Sequence, residues 1–355
     1  MNKLNLTDET FGELLPYINE DTITDINWNG KELWIDDLNK GRYCLDLCLS
    51  ENFVKNFSLK IANLMNVNFN KYLPLLEAET DNLRISIIHE DVAKTGRSIS
   101  IRKTPAKRRM TREGMIAEGY CMAKLDDFMH HAVLAHCNIV ISGLPGVGKT
   151  EYVKTLTSYI PDNERVITIE DNLELRYREI NPGKDCVSLK VDGDFTYTDA
   201  IKACLRQKPT WILLSEARSI EVKSLLESMS TGTHCITTIH ADDVRKIPNR
   251  IKNMMPVGES DKKVENDIYS FIDIGVLIQS KITEENKIKR YISQVAIFSV
   301  DDMTGEHRTI ILYENGKFNT EHLPSDIMRK FSQDEQDPFG EVVNDKDEKN
   351  EENQE

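Results

Sequence analysis

The stretch NIVISGLPGVGKTEYVKTL, residues 138–156, decides the fold of the central part of the chain. Within it, GLPGVGKT fits the pattern GxxxxGK(S/T), with an apolar strand-like run before it and a helix-like run after it. Glycines in such a loop let backbone N–H groups turn towards a phosphate at the start of the helix. The flanking strand and helix argue against a glycine-rich turn without a ligand. The stretch therefore predicts a loop that binds a nucleoside triphosphate.

Nine consecutive residues form this predicted nucleotide site. Lys149 is expected to bridge the β- and γ-phosphates, and the Thr150 hydroxyl is expected to hold magnesium. ATP and Mg²⁺ are thus the expected cofactors. The nine residues are Gly143, Leu144, Pro145, Gly146, Val147, Gly148, Lys149, Thr150 and Glu151.

Carboxylates follow two further apolar runs. WILLSEAR, residues 211–218, places Glu216 after a strand, which makes it the candidate for the catalytic base and a magnesium ligand. RVITIEDNLEL, residues 165–175, ends its apolar run in Glu170 and Asp171, which could polarise the nucleophile or hold magnesium-bound water. A solvated acid at the first position and a capping pair at the second are the alternatives.

A histidine-rich segment, GTHCITTIHADD, covers residues 232–243. Its apolar centre predicts a strand between His234 and His240. A histidine at the end of such a strand could contact the γ-phosphate, whereas a structural histidine is the alternative. His240 therefore joins the candidate catalytic residues only because the other motifs accompany it.

The chain, 355 residues and 40.7 kDa, is long enough for two domains. Residues 1–103 combine a hairpin pattern around Asn29 and Gly30 with helical and strand-like segments, which predicts a small α+β domain. A basic linker is expected at 104–114. Residues 115–331 alternate apolar strands with helices, which predicts an α/β domain with a parallel sheet. Its last three runs are expected to extend that sheet as antiparallel strands: FIDIGVLIQSKI, KRYISQVAIFSV and HRTIILYENGKF. An acidic, disordered tail is expected at 332–355.

Composition excludes several classes of protein. Of the net charge of −14, the last 24 residues supply −8, and the mildly acidic remainder argues against a protein held on nucleic acid by overall charge. The seven cysteines lack metal-binding spacing and indicate reduced thiols. The chain has neither a run long enough for a membrane span nor an apolar signal sequence, so a cytoplasmic location is expected, with contact to a membrane machine left open.

Taken together, GLPGVGKT, TIEDNLEL, LRQKPTWILLSEAR and TGTHCITTIHADD resemble, in order and spacing, the traffic ATPases of type II and type IV secretion. TDINWNGKELWID and RSISIRK resemble the N-terminal domain of the branch that holds CpaF-like Tad pilus ATPases and VirB-type conjugation ATPases. This resemblance covers most of the chain. It implies a RecA-like P-loop ATPase domain preceded by a smaller α+β domain.

The resemblance also implies roles for individual residues. Glu216 would be the Walker B acid, Glu170 and Asp171 the Asp box, and His240 the His box, with Thr150, Glu216 and Asp171 near magnesium. In this family ATP lies between the two domains of a subunit, and arginines close over its phosphates. Four arginines stand at the corresponding positions or near the subunit boundary: Arg84, Arg102, Arg206 and Arg218. Surface salt bridges are the alternative for each of them.

Some positions depart from the family pattern. Leu144, Pro145 and Val147 replace the small residues usual in the loop, and Ser215 replaces a glycine. Gly232-Thr233-His234 stands where the family has Gly-His, which leaves the role of His234 open. No catalytic group is lost, but slower turnover becomes conceivable.

The resulting expectation is a hexameric ring motor of a type IV secretion or conjugation system, at the inner face of the membrane, with inner-membrane secretion proteins and a coupling protein as partners. A Tad, type IV pilus or competence pseudopilus ATPase is the nearest alternative. A DNA-translocating motor has support only from the basic segment KRRMTR, residues 107–112, which lacks the aromatic residues of a base-stacking surface. A nucleotide-regulated scaffold without turnover is the remaining alternative.

Overall fold

The computed structural model describes residues 7–256, 261–284 and 287–342, and it divides into two compact units. The first comprises Met1–Ala106 and Lys281–Lys289, and the second comprises Lys107–Ser280 and Arg290–Glu355. The division at residues 106 and 107 falls inside the expected linker. The described residues 281–284 and 287–289 also belong to the first unit, which no sequence pattern indicated.

The first unit is a six-stranded antiparallel sheet with helices, in the sheet order β3-β2-β1-β6-β5-β4. The expected hairpin is confirmed, because the side chain of Asn29 accepts from the backbone N–H groups of Lys31 and Glu32 between β1 and β2. Alternate strand residues are buried with the apolar face of α3. The elements are α1 (Asp8–Phe11), a 3₁₀ turn (Gly12–Leu14), α2 (Leu15–Asn19), β1 (Ile23–Trp28), β2 (Leu33–Asp37), β3 (Gly41–Leu45), α3 (Glu51–Met65), β4 (Leu75–Glu79), β5 (Leu83–Ile88) and β6 (Ser98–Lys103).

The second unit alternates helices with strands, as its sequence predicts. Its elements are α4 (Arg112–Ala117), α5 (Ala123–Leu134), β7 (Ile139–Ser142), α6 (Lys149–Leu156), β8 (Val166–Glu170), α7 (Tyr177–Ile180), β9 (Cys186–Lys190), α8 (Tyr197–Cys204), a 3₁₀ turn (Leu205–Gln207), β10 (Trp211–Leu214), α9 (Glu221–Ser230), β11 (His234–Ile239), a 3₁₀ turn (Val244–Lys246), α10 (Ile247–Lys252), α11 (Asp261–Phe271), β12 (Ile274–Ile282), β13 (Ile288–Val300), β14 (His307–Glu314), β15 (Lys317–Phe318) and α12 (Ser325–Gln333).

These strands form one sheet in the order β15-β14-β13-β12-β7-β11-β10-β8-β9. The run from β12 to β9 is parallel, and both faces are buried: Ile139 and Ile141 lie in one apolar core while Val140, between them, lies in the other. In a parallel sheet the carboxyl ends of the strands meet at one edge. The strands β7, β8, β10 and β11 therefore deliver the four motifs to the same edge.

The direction of β12 differs from the prediction. FIDIGVLIQSKI was expected to extend the sheet as an antiparallel strand, but β12 is parallel to β7, with Ile274 opposite Ile139. The physical reason is that α11 carries the chain back to the amino end of the sheet before β12 begins. β14 and β15 are antiparallel to their neighbours, as expected.

The acidic C-terminal segment also differs from expectation, because residues 332–342 are ordered against the second unit. The ring of Phe339 stacks on that of Phe128 at 5.6 Å, and Asp334 accepts from His136 at 3.1 Å. One aromatic residue and one ion pair thus hold a stretch whose composition indicated disorder. Residues 343–355, the remainder of the expected tail, lie outside the described residues.

The last residues of the expected linker belong to the second unit. The Thr111 hydroxyl accepts from the backbone N–H of Gly114, so α4 begins at Arg112 instead of after residue 114. Arg112 pairs with Asp126 at 2.6 Å.

In the described ranges, no helix combines the length and apolar character that crossing a membrane requires.

Candidate functional site

The phosphate loop joins the end of β7 to the start of α6. Gly148, with φ of 93°, immediately precedes α6, and Gly143 has φ of 152°. A side chain at Gly143 would meet the carbonyl oxygen of Ile278 at 2.6 Å, so only glycine fits there. The loop therefore presents backbone N–H groups at a helix N-terminus, which is the arrangement that binds phosphate.

Lys149 folds back over this loop. Its Nζ atom donates to the carbonyl oxygens of Gly143 at 2.9 Å and Leu144 at 3.2 Å, and lies 3.2 Å from Nδ1 of His240. Burial lowers the pKa of Lys149, although the nearby carboxylates of Glu216 and Glu174 oppose this. The ammonium group of Lys149 is thus hydrogen-bonded to neutral carbonyl oxygens of the phosphate loop.

His240 follows β11 and connects the lysine to the Walker B candidate. Its Nε2 atom lies 2.6 Å from Oε1 of Glu216, and its Nδ1 lies 3.3 Å from the carbonyl oxygen of Gly143. His234 lies at the other end of β11, its ring 4.5 Å from that of His136. Burial, followed by the neighbouring His136, lowers the pKa of His234 to about 4. The two histidines of the motif therefore lie at opposite ends of β11, with His234 at its amino end and His240 at its carboxyl end.

Arg218 links two of the predicted acids. Its Nε donates to Oε2 of Glu216 at 2.9 Å, and its NH1 donates to Oδ2 of Asp171 at 2.8 Å. Burial opposes the charge, but the hydrogen bond to Glu216 and the charge of Asp171 raise the pKa of Arg218. Both oxygens of Glu216 are therefore engaged, one by His240 and one by Arg218.

The adjacent acids Glu170 and Asp171 have separate environments. Glu170 is buried, and its Oε1 accepts from the backbone N–H groups of Glu174 at 3.0 Å and Leu175 at 2.8 Å. Burial raises the pKa of Glu170 to about 7. Glu170 thus shapes the loop after β8, while Asp171 faces Arg218.

Glu174 is a residue of the site that the sequence reasoning missed. Its Oε2 accepts from the Thr150 hydroxyl at 3.4 Å, directly beside the start of α6. The signal was present in the sequence, because Glu174 lies three residues after Asp171 in the same motif. The neighbouring Glu151 instead pairs with Lys154 at 2.8 Å.

The side chains of the unusual loop residues point in different directions. Leu144 is 60% exposed, whereas Val147 is buried in the apolar core. Pro145 lies exposed between Leu144 and Gly146. The larger side chains are thus accommodated without displacing the glycine turns.

The remaining predicted arginines lie elsewhere. Arg84 on β5 and Arg102 on β6 stand directly opposite each other in the first unit, and Nε of Arg102 donates to Asp25 at 2.8 Å. Arg206 is exposed in the 3₁₀ turn after α8. Their roles at a nucleotide remain predictions.

Hard oxygen donors suited to Mg²⁺ lie at the start of α6 and after β8 and β10. They are the Thr150 hydroxyl and the carboxylates of Glu216 and Asp171. Among the described residues, no group of three or more histidine, cysteine or acidic side chains forms a metal-binding cluster. The donor set fits an ion held partly by phosphate oxygens, since Mg²⁺ in such sites takes only one or two carboxylates.

Comparison with known proteins gives a consistent result. The family described as "Type II/IV secretion system protein" matches residues 75–294. An uncharacterised protein of Bacillus anthracis is 28% identical over 310 residues, which cover 83% of this chain and 69% of that protein. The type IV secretion system protein VirB11 of Bartonella quintana is 32% identical over 183 residues, 48% of this chain, and the match spans only 50% of that protein.

A solved structure shares the fold. The ATPase DotB of Yersinia pseudotuberculosis superposes with a TM-score of 0.62 at 14% identity, covering 82% of this chain and 78% of that one. The expected fold class is confirmed: a RecA-like α/β domain preceded by a smaller α+β domain.

Proposed function

Because the chain belongs to the type II/IV secretion system protein family, we propose that it is an ATP-hydrolysing ring motor of a type IV secretion or conjugative transfer system. The observation that carries the proposal is the connected series of Lys149, His240 and Glu216 at the phosphate loop. A phosphate-binding lysine and a candidate base are thereby held together at the edge where the nucleotide would bind.

Lys149 is poised to exchange partners. Its present acceptors, the carbonyl oxygens of Gly143 and Leu144, are neutral, whereas a phosphate oxygen is charged. The attraction between two opposite charges exceeds that between a charge and a neutral dipole, so a bound phosphate would draw the ammonium group away from the carbonyls. The loop then supports binding of the β- and γ-phosphates.

Glu216 would act as the general base that takes a proton from the attacking water. In the present arrangement, the Arg218 guanidinium covers one of its oxygens and His240 the other. Release of Glu216 by Arg218 would therefore precede hydrolysis. Glu170, enclosed by backbone N–H groups, would support the loop that carries Asp171 and Glu174 instead of reacting itself.

Thr150, Glu216 and Asp171 would hold Mg²⁺, which supplies neutralisation of phosphate charge when bound. Arg84, Arg102 and Arg206 would approach the phosphates or a neighbouring subunit as the resemblance implies. A hexameric ring, peripheral attachment to the inner face of the membrane, and inner-membrane secretion proteins with a coupling protein as partners complete the proposal. Similarity to VirB11 over half of that protein supports it.

A pilus-assembly motor would use the same site. The RSISIRK segment, observed as β6, is typical of both the Tad and the conjugation ATPases, so it favours neither. Neighbouring genes would separate the two functions: a relaxase and a coupling protein accompany conjugation, while prepilins and a prepilin peptidase accompany pilus assembly.

ATP hydrolysis by the full chain tests the assignment. We expect Lys149→Ala and Glu216→Gln each to lower turnover by about a hundredfold or more, because the first removes a positive charge at the phosphates and the second removes the base that accepts the proton of water. Lys317→Ala on β15 and Glu306→Gln, both exposed, are the matched controls and should keep full activity. Full activity of either site variant would contradict the site. Tight ATP binding by the wild type without turnover would favour the scaffold alternative.

A further inference from the structure

β13 brings an arginine to the phosphate loop that no motif marks. A methyl group placed on Gly148 would lie 3.6 Å from Cδ and 4.0 Å from Nε of Arg290. Gly148 immediately precedes α6, so the guanidinium group of Arg290 lies beside the N-terminus of that helix. Both residues belong to the second unit.

A second guanidinium group and a helix N-terminus lie near Arg290. Burial lowers the pKa of Arg290, the charge of Tyr120 opposes this, and the nearby Arg109 lowers it further. The N-terminus of α6 adds the positive end of a helix dipole to the same place. Two guanidinium groups and a helix N-terminus together favour the presence of an anion.

Two buried donors near Arg290 have no hydrogen-bond partner within the described part of the chain. The Nε atom of Arg109 is buried, and within the described part of the chain it has no hydrogen-bond partner. The hydroxyl of Tyr120, whose ring lies 5.7 Å from that of Tyr152 on α6, is likewise buried without a partner there. Buried donors are normally hydrogen-bonded, so two unsatisfied donors near Arg290 support the presence of a ligand there.

We propose that Arg290 contacts the diphosphate portion of the bound nucleotide, with the Lys149 ammonium group beside Gly143 at the start of the loop and Arg290 beside Gly148 at its end. Arginine suits this position because its planar fork can donate two hydrogen bonds to one phosphate. The inference rests on the proposed binding of ATP and adds a residue that lies far from every motif in the sequence.

Calorimetric titration of the full chain with ADP and with ATP tests this role. We expect Arg290→Gln to bind both nucleotides about ten- to a hundredfold more weakly, because a hydrogen-bonded charge pair with phosphate is lost. Arg290→Lys keeps the charge and should recover part of the affinity. Arg308→Gln on the neighbouring strand β14 is the matched control, since Arg308 pairs with Asp301 at the surface, and it should bind as the wild type does.

The melting temperature without nucleotide separates ligand contact from packing. Inorganic pyrophosphate should raise the melting temperature of the wild type above its nucleotide-free value, and we expect Arg290→Gln to lose this rise relative to its own nucleotide-free value. Weaker binding accompanied by an equal fall in nucleotide-free melting temperature in both Arg290 variants would indicate a packing role and overturn the proposal.

Two further outcomes would count against a contact between Arg290 and the diphosphate. Wild-type affinity in Arg290→Gln, with affinity lost in Lys149→Ala, would overturn this inference while leaving the proposed function intact. A loss for ATP alone would overturn the placement at the diphosphate. Absence of nucleotide binding by the wild type would instead refute the proposed function itself.

Discussion

The Nε2 atom of His240 lies 2.6 Å from Oε1 of Glu216. The other ring nitrogen lies 3.2 Å from Nζ of Lys149, so one imidazole connects the candidate base to the phosphate-binding lysine. The histidine is therefore expected to position both groups. A substitution that removes either ring nitrogen should change the positions of both Glu216 and Lys149.

Substitution of His240 should affect turnover more than nucleotide binding. We expect His240→Ala to lower kcat about ten- to a hundredfold, because Glu216 loses a hydrogen bond that fixes its orientation. His240→Gln can place a nitrogen near the position of Nε2 and should recover part of the rate. Steady-state ATP hydrolysis gives kcat and KM separately.

His234→Asn is the matched control for this experiment, because His234 lies at the opposite end of the same strand. It should change thermal stability without changing kcat. Equal losses of kcat at both positions would show that the strand as a whole, and not the contact with Glu216, determines the rate.

Arg218 should compete with Mg²⁺ for the same acids. Its ion pairs with Glu216 and Asp171 occupy two carboxylates that would hold the metal. For Arg218→Gln we expect the free Mg²⁺ concentration at half-maximal ATP hydrolysis to fall about two- to tenfold, since each half-exposed pair contributes modestly. A higher Mg²⁺ requirement in the variant would mean that Arg218 helps to retain the metal.

Glu170 should give the protein a pH-dependent stability. Its pKa in the native state is about 7, above the ordinary value of 4.5, so its contribution is fully present below pH 4.5 and is lost as the pH rises through 7. Glu170→Gln keeps an acceptor for the two backbone N–H groups but does not titrate. Its stability relative to the wild type should rise by about 3 kcal/mol between these pH values.

Urea unfolding without nucleotide, from pH 5 to pH 7.5, measures this difference. The exposed Glu306→Gln variant should track the wild type across the range. A constant difference between Glu170→Gln and the wild type would show that the carboxylate is already charged throughout.

Phe339 should stabilise the second unit. Its ring stacks on Phe128 and meets Phe318 edge to face at 5.8 Å. We expect Phe339→Ala to lower the free energy of unfolding by about 1–3 kcal/mol, and Phe339→Leu to lower it less, because part of the apolar contact remains. Unchanged unfolding of Phe339→Ala would show that the segment after α12 contributes nothing to stability.

The sequence predicted the parts of the fold that depend on local pattern. The hairpin at Asn29 and Gly30 follows from turn chemistry, and β7, β8, β10 and β11 follow from apolar runs of the length that a buried parallel strand requires. The direction of β12 depends instead on where α11 returns the chain. The direction of β12 is therefore set by contacts between residues far apart in the sequence, and not by the residues of the strand itself.

The candidate site was predicted in its residue types but only partly in its contacts. Lys149, Glu216 and His240 meet because parallel strands end at a common edge. Glu170 and Asp171 could not be separated by sequence, since the difference between a buried loop cap and a partner of Arg218 is one of side-chain direction. Arg290 had no signal, because β13 reaches the loop from about 140 residues further along the chain.

Lys149 lies near the carboxylates of Glu216 and Glu174, and Arg218 pairs with Glu216 and Asp171. Each of these two cations is thus compensated by acidic side chains of the same chain. We therefore expect the second unit to stay folded when nucleotide is withdrawn, because its phosphate-binding cations do not depend on phosphate for compensation of their charge.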